Sequence, residues 1–227
     1  MLKRVVVTGM AGISPIGSDW SQVAERLKNN STGIQTMPDW DKYQGLNTRL
    51  GGPAEFTRPE HYSRKQVRSM GRVALMATRA TELALIDAGL LDDACLSSGQ
   101  MGIAYGSSSG SPDAIAEFGN MLLNHATGGL NATSYIRMMS HTAPVNISLF
   151  FGINGRIYTT SSACTSGSQG IGYAYEAIKF GRQKLMVAGG AEELSPIQAA
   201  VFDTLFATSL RNDTPEKSPR PFDRARD

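Results

Sequence analysis

The sequence predicts an α/β protein built around a mainly parallel sheet. Short apolar or β-branched runs lead into loops of small residues, helical patterns follow the loops, and this alternation continues through most of the 227 residues. Strands that alternate with helices favour a parallel sheet whose faces are covered by helices. No internal repeat interrupts the pattern, so a single domain is the simplest organisation.

The first strand is predicted over residues 3–9, "KRVVVTG", a β-branched run that ends in glycine. A helix should follow it, with Ser18 or Asp19 as the N-cap. Residues 33–63 are rich in Gly, Pro and polar side chains, which predicts an irregular excursion. Residues 71–91 have apolar side chains at helical spacing and predict a long helix.

The later elements repeat the same order. "MGIAYG" predicts a strand, and Ser111 with Pro112 should start the next helix. The chain then predicts four further elements, which are a helix over 141–152, a strand over 156–163, a helix over 166–181 and a strand over 184–193.

Composition excludes several classes of protein. Lys and Arg total 22 against 20 Asp and Glu, and a net charge of +2 gives no reason to expect nucleic acid as a partner. No apolar run approaches the roughly 18 residues of a membrane span, and the N-terminus lacks the apolar region of a signal peptide. We therefore expect a soluble cytoplasmic protein whose two cysteines, Cys95 and Cys164, are thiols.

Cys164 lies in "TTSSACTSGSQGIG", where a strand-like run changes into a helix-like run among small neighbours. Small residues permit a tight turn, and the N-terminus of the following helix favours an anionic sulfur. The thiolate is the nucleophilic form of cysteine, and N–H groups of such a turn can hold an oxyanion. The pattern favours a reactive Cys164 over a small buried cysteine, whereas Cys95 has no such turn and is expected to be structural.

The segment "TTSSACTSGSQGIGYAYEAIKFGRQKLMVAGGAEE" resembles the active-site segment of β-ketoacyl-acyl-carrier-protein synthases, the condensing enzymes of fatty acid and polyketide synthesis. Its cysteine matches the family's "ACxSG" turn. "RVVVTGMAGISPIG" is similar to the family's opening strand and loop, "GIAYGSSSG" to its second active-site strand and loop, and "LRNDTPEKSPRPFDRARD" to the run after its fifth strand. These landmarks follow the family's order, so the resemblance covers nearly the whole chain.

The resemblance implies the N-terminal half of a thiolase-like fold, with a mixed five-stranded sheet covered by helices. It also implies an acyltransferase reaction in which Cys164 takes an acyl group from a carrier protein as a thioester. Malonyl carrier protein then decarboxylates, and its carbanion attacks that thioester in a Claisen condensation. The implied partners are acyl carrier protein with its phosphopantetheine arm and a second subunit, identical or related, joined through the strand before Cys164. No metal, dissociable cofactor or membrane is expected.

Two histidines and a Gly/Phe-rich loop complete the family's active site, and all of them belong to its second half. The histidines of this chain, His61, His125 and His141, lie in no matching motif, so we expect loop or helix-start positions for them. Residues 1–227 are therefore expected to be the N-terminal domain with the C-terminal half absent. We expect these residues alone not to catalyse condensation.

A basic cluster in "SRKQVRSMGR" places Arg64, Lys65, Arg68 and Arg72 within about two helical turns. Arg64, Lys65 and Arg68 match the segment that receives the acidic carrier protein in bacterial fatty-acid synthases, an interaction suited to charge-assisted contacts. Ser69 and Phe206 stand where the family often has a basic residue. A plain solvated face is the alternative reading of the cluster.

Nucleotide binding is not expected, because "GSSSGSP" lacks the lysine of a P-loop and "GMAGISPIG" lacks the GxGxxG pattern. In the family, the loop at 106–111 and a position near residue 134 of the partner subunit line the acyl pocket. The matching residues are Ser109 and Ser134, which are smaller than the apolar groups common in fatty-acid members. They imply a wider or more polar pocket, suited to a polyketide or polyene chain.

Two other functions are open on the sequence. A non-catalytic partner subunit would shape the product of an active synthase, but such subunits usually replace the cysteine that Cys164 provides here. A cysteine hydrolase would need a histidine within hydrogen-bond reach of Cys164.

Overall fold

A computed structural model describes residues 2–227, which divide into two units. The first unit comprises residues up to Ala11 together with Arg58–Glu193, and the second comprises Gly12–Thr57 with Leu194–Asp227. Across residues 2–227, no helix combines the length and the hydropathy that a bilayer span requires.

The elements in chain order are α1 (Trp20–Lys28), β1 (Gln35–Thr36), β2 (Leu50–Gly51), α2 (Arg64–Val67), α3 (Arg72–Asp87), β3 (Met101–Gly106), α4 (Pro112–Asn124), α5 (Ser134–Met138), α6 (Thr142–Phe151), β4 (Ile157–Thr160), α7 (Ser166–Lys179), β5 (Leu185–Gly190) and α8 (Pro196–Thr204). Short 3₁₀ helices lie at Pro38–Lys42 and Pro215–Lys217.

The first unit is built on three parallel strands in the order β4, β3, β5. Gly106 at the end of β3 pairs with Thr160 of β4 on one side and with Gly190 of β5 on the other. The three strands therefore end at the same level, and the loops that follow them share one edge of the sheet.

Side-chain size alternates along the central strand β3, since successive residues point to opposite faces. One face carries large residues that are buried with α3 and α6; this core comprises Ala77, Leu85, Leu96, Met101, Ile103, Tyr105, Ala143, Ile147 and Ile153. The other face carries Gly102, Ala104 and Gly106. A Cβ on Gly170 of α7 would lie only 2.6 Å from the carbonyl oxygen of Ala104, so α7 rests with its backbone against the strand.

The second unit contains the short antiparallel pair β1 and β2 and the helices α1 and α8. As predicted, Asp19 caps α1, and its carboxylate accepts a hydrogen bond from the N–H of Gln22 at 3.0 Å. Asp203 of α8 is buried and accepts hydrogen bonds from the N–H groups of Asn47 and Thr48 and the hydroxyl of Thr208. These bonds join α8 to the segment that leads into β2.

The predicted first strand, residues 3–9, is not a strand in the structure. This segment forms no β-pairing with any strand of residues 2–227, and Val6 and Val7 are exposed. One main-chain hydrogen bond, from the N–H of Lys3 to the carbonyl of Lys179 at 3.0 Å, holds it to the end of α7. The sheet that the structure describes therefore has three parallel strands rather than the mixed five that the resemblance implied.

The basic cluster is also less regular than its spacing suggested. Helix α2 ends at Val67 with Arg68 as its C-cap, and α3 begins only at Arg72. Val67 and Met70 are buried, and this turns the chain between the two helices. The other predicted strands and helices are present with shorter bounds, and residues 33–63 are largely irregular as expected; β1, β2, α5 and α8 were not predicted.

Candidate active site

Cys164 is exposed in the short link between β4, which ends at Thr160, and α7, which begins at Ser166. The thiol therefore lies just before the N-terminus of a 14-residue helix. Unpaired N–H groups and the positive end of the helix dipole favour an anion at such a point. The strand-to-helix turn predicted from the sequence is present.

Ser166 closes this turn with its hydroxyl. Ser166 Oγ accepts a hydrogen bond from the N–H of Ser162 at 2.9 Å and donates one to the carbonyl of Ala163 at 2.7 Å. The carbonyl of Ser162 accepts from both the N–H and the hydroxyl of Thr165. The N–H of Cys164 is not among the donors of this network, so it can serve an oxyanion next to the sulfur.

Ala163 has a φ of 50°, which lies in the left-handed region that residues with a Cβ rarely adopt. Such a conformation costs about 1–2 kcal/mol for a non-glycine residue. The hydrogen bond from Ser166 to the Ala163 carbonyl helps to offset that cost. Strained residues of this kind cluster at functional sites, and the sequence contained no signal for it because glycine is the usual residue in this conformation.

Gly106 and Gly170 bring the helix close to the strands below the cysteine. A Cβ on Gly106 would lie 2.4 Å from the carbonyl oxygen of Thr160 and 2.5 Å from the Cβ of Ser166. Gly170, one turn further along α7, faces the Ala104 carbonyl in the same way. The small residues are therefore required by backbone-to-backbone packing, which fixes where α7 begins and so where Cys164 lies.

The loop at residues 107–111 follows β3 at the same edge of the sheet. Two consecutive carboxylates after β5 hold it: Glu192 accepts from the N–H of Ser108, and Glu193 accepts from the hydroxyl of Ser111 at 3.2 Å. Burial raises the pKa of Glu193 above its usual range. Ser109 is half-buried, and within residues 2–227 its side chain forms no hydrogen bond.

Ser140 connects this loop to the cysteine turn. The hydroxyl of Ser161 lies 3.2 Å from that of Ser140, which donates to the carbonyl of Ser108 at 3.2 Å. The predicted pocket residue Ser109 is therefore in the loop that is tied to the residues preceding Cys164.

Ser134, the other predicted pocket residue, is buried at the start of α5. Its hydroxyl accepts from the N–H of Asn131 at 3.0 Å and donates to Glu117 of α4. Arg137 pairs with the same carboxylate at 2.8 Å. Hydrogen bonds from Ser134 and Arg137 hold the pKa of Glu117 below its usual range. Sequence reasoning missed Glu117 and Arg137, because their meeting depends on how α4 and α5 cross.

Arg64, Lys65 and Arg68 are all exposed at or beside α2, and we refer to these three residues as the cationic patch. Within residues 2–227, none of the three side chains has an ion-pair or hydrogen-bond partner. Ser69 instead turns inward and donates to Asn146 of α6 at 2.7 Å. In the second unit, Phe206 is almost fully exposed, with a φ of 54°.

The three histidines occupy places that differ from one another. His61 is exposed in a loop, as predicted, and its Nε2 also lies 2.7 Å from Glu82 Oε1. His125 caps the end of α4, and His141 precedes α6. None of them hydrogen-bonds to Cys164 within residues 2–227, so this part of the chain does not form the pair that a cysteine hydrolase needs.

Cys95 differs from Cys164 in its surroundings. It is half-buried, and its N–H donates to Asp93 at 2.7 Å. Burial, with a contribution from Asp93, raises the pKa of the Cys95 thiol. A thiol that resists ionisation agrees with the structural role expected for it.

A family model described as "Beta-ketoacyl synthase, N-terminal domain" matches residues 2–227. The 3-oxoacyl-(acyl-carrier-protein) synthase 1 of Escherichia coli strain K12 is 34% identical over 229 residues, covering 100% of this chain and 56% of that protein. The protein of the same name from Haemophilus influenzae is 32% identical over 228 residues, with the same coverage. The chain thus spans about half the length of the curated relatives it matches.

Two solved structures share the fold. A β-ketoacyl synthase from Burkholderia phymatum matches with a TM-score of 0.97 at 54% identity, covering 100% of this chain and 56% of that one. A type II PKS acyl-carrier protein in complex with its ketosynthase matches with a TM-score of 0.71 at 26% identity, covering 89% of this chain and 55% of that one. The α/β fold class and the thiolase-like half predicted from the sequence are confirmed.

Proposed function

The chain belongs to the β-ketoacyl synthase family through its N-terminal domain, and we propose that Cys164 is the nucleophile that accepts an acyl group in a decarboxylative condensation. Cys164 is exposed at the N-terminus of α7 on a turn strained at Ala163, and the hydroxyl of Ser166 holds that turn closed. An exposed thiol held in this way is arranged for reaction rather than for packing.

In the acyl-transfer step, the Cys164 thiolate forms a bond to the thioester carbonyl carbon of an acylated carrier. Charge develops on the carbonyl oxygen, where the N–H of Cys164 can donate a hydrogen bond. The carrier's pantetheine sulfur then leaves as a thiol after taking a proton, and Cys164 keeps the acyl group as a new thioester. Condensation follows when malonyl carrier protein loses carbon dioxide and its carbanion displaces the Cys164 sulfur.

The cationic patch supports acyl carrier protein as the partner. Three exposed cations without partners in their own chain can meet an acidic surface without first breaking internal ion pairs. A related ketosynthase has been solved in complex with its acyl-carrier protein. Ser69 donates inward to Asn146 of the same unit, so it adds no charge to the cationic patch.

The acyl pocket is proposed to lie beside residues 107–111, with Ser109 as a lining residue. Ser109 is small and half-buried, and its hydroxyl has no partner within residues 2–227, which supports a wider and more polar pocket than a larger apolar residue would give. Ser134 contributes differently, since its hydroxyl is held by Glu117 and ties α4 to α5. A wider and more polar pocket suits a polyketide or polyene chain, and preferential loading of saturated long chains would contradict this.

A second subunit, identical or related, is proposed to pair along β4. This strand is an edge of the three-stranded sheet, and Ile157 is exposed on it. Exposed edge strands present unpaired N–H and C=O groups that a second strand can meet. Neighbouring Tyr158 and Tyr173, whose rings lie 6.1 Å apart, would extend such a contact.

The proposal is tested by following thiol release when the protein meets an acylated carrier protein. We expect about one pantetheine thiol per chain to be released, no release with Cys164→Ala, and normal release with the matched variant Cys95→Ala. Unchanged release from Cys164→Ala would overturn the assignment. A cytoplasmic location for the protein is proposed on the same family basis.

A further inference from the structure

Glu82 of α3 is a buried carboxylate that lies outside the proposed active site. Its Oε1 lies 2.7 Å from His61 Nε2, and its Oε2 accepts from the Tyr62 hydroxyl at 2.9 Å. Arg79, one turn earlier on α3, pairs with Oε2. Burial acts to raise the pKa of Glu82, but the hydrogen bonds from His61, Arg79 and Tyr62 outweigh it and hold that pKa below its usual value.

The residues that Glu82 holds come directly before the cationic patch. Tyr62 is fully buried, and its ring centroid lies 4.6 Å from that of Phe150. Ser63 then caps α2, and it forms a reciprocal capping box with Gln66. The start of α2 is therefore fixed in two ways. The buried side chain of Tyr62 anchors the residues before the helix, and the capping box of Ser63 and Gln66 stabilises its first turn.

The other end of α2 is fixed by apolar burial. Val67 and Met70 belong to one buried cluster with Tyr62 and Ala74. A four-residue helix has too few hydrogen bonds to persist alone, so α2 depends on these two anchors for its shape. Both anchors include Tyr62, and Glu82 is the polar partner of that residue.

We propose that Glu82 is a positioning residue of the carrier-docking surface: by holding His61 and Tyr62 it fixes α2, so that Arg64, Lys65 and Arg68 face solvent as a preformed cationic patch. This inference rests on the carrier role proposed above. Without Glu82, the three cations lose their fixed spacing. Helix α2 must then become ordered when the carrier docks, and this entropic cost weakens carrier binding.

The direction of the change in carrier affinity distinguishes a positioning role of Glu82 from a simple effect of its charge. Glu82→Gln removes a negative charge near the cationic patch, so electrostatics alone predicts tighter binding of an acidic carrier. A positioning role predicts weaker carrier binding. The glutamine amide is neutral, so it cannot form the ion pair with Arg79, and it cannot accept hydrogen bonds from both His61 and Tyr62 as the carboxylate does.

The test measures the dissociation constant of acyl carrier protein by fluorescence anisotropy, with acyl transfer from a carrier-free pantetheine thioester as a second readout. We expect Glu82→Gln to weaken carrier binding about 5- to 10-fold and Tyr62→Phe about 2-fold, while carrier-free transfer to Cys164 keeps its rate. Glu176→Gln, the same charge change at an exposed site on α7, is the matched control and should leave the constant unchanged.

A triple variant, Arg64→Glu, Lys65→Glu and Arg68→Glu, distinguishes the docking role of the cationic patch from the positioning role of Glu82. If it leaves the carrier affinity unchanged, the docking role of the cationic patch fails. If it abolishes binding while Glu82→Gln and Tyr62→Phe bind the carrier as tightly as the parent or more tightly, only the role of Glu82 is overturned. Tyr62→Phe decides the question by itself if Glu82→Gln does not fold.

Discussion

Ser162 and Ser166 close the turn that carries Cys164, through a hydrogen bond of 2.9 Å from the N–H of Ser162 to the hydroxyl of Ser166. The same hydroxyl donates to the carbonyl of Ala163. A residue of α7 thus bonds back to the chain on the far side of the cysteine. The turn that exposes Cys164 is thus closed by hydrogen bonds between residues on either side of it.

Ser166→Ala should open this turn. The change leaves the N–H of Ser162 without its acceptor, and it should lower the free energy of unfolding by about 1–2 kcal/mol. The rate of acyl transfer to Cys164 should fall as well, measured with a carrier-free thioester. Ser168→Ala, at an exposed position on the same helix, is the control and should change neither quantity. Equal behaviour of the two variants would contradict the role given to Ser166.

Ala163→Val tests the strained backbone. A β-branched side chain at a φ of 50° is less tolerated than alanine, so the variant should lose about 1–3 kcal/mol of stability and much of its acyl transfer. Ala163→Gly should retain the turn, because glycine adopts this conformation without a Cβ clash. A thermal melt of both variants decides the matter, and an undisturbed melting temperature for the valine variant would show that the turn is unstrained.

Gly170→Val should displace α7 from the sheet. Its Cβ would lie 2.6 Å from the Ala104 carbonyl oxygen, a contact that backbone must move to relieve, and such overpacking costs about 1–3 kcal/mol. Chemical denaturation should show the loss, and the alkylation rate of Cys164 by iodoacetamide should change as α7 shifts. Gly172→Val is the matched control, since a Cβ there meets nothing within 4 Å. A larger loss of stability in Gly172→Val than in Gly170→Val would contradict this packing.

The residue types around Cys164 were sufficient to predict its turn, because a strand-like run, small residues and a helical run in that order leave few other conformations. The left-handed φ of Ala163 was not predictable, since nothing in alanine favours it. The strand expected over residues 3–9 failed for a different reason. β-Branched residues report a preference for extended backbone, but a strand also needs a partner strand, which local sequence does not contain.

The contacts between elements that are distant in the chain could not be predicted from the sequence pattern. His61 was correctly expected in a loop, but its bond to Glu82 depends on how the loop before α2 folds over α3. Ser134 was identified by its resemblance to a pocket position, but its bond to Glu117 follows from the crossing of α4 and α5. Spacing along the chain identifies candidates, whereas tertiary packing decides their partners.

Glu82 should make the protein more sensitive to acid. Its pKa is lowered in the folded state, so the stability it contributes is present above the unfolded value of 4.5 and is lost as pH falls through the folded pKa. Glu82→Gln should therefore lose less stability than the parent between about pH 6 and about pH 3.5, as measured by urea unfolding. Parallel stability curves for the two proteins would show that the pKa of Glu82 does not differ between the folded and unfolded states.

The most direct test of the central claim is peptide mass spectrometry after the protein has been incubated with acylated carrier protein. We predict that the acyl mass is found on the peptide containing Cys164, that Cys164→Ala carries no acyl group, and that the Cys95 peptide is unmodified. Acylation of Cys95, or an unmodified Cys164 that still reacts with iodoacetamide, would contradict the assignment of Cys164 as the acyl-accepting nucleophile.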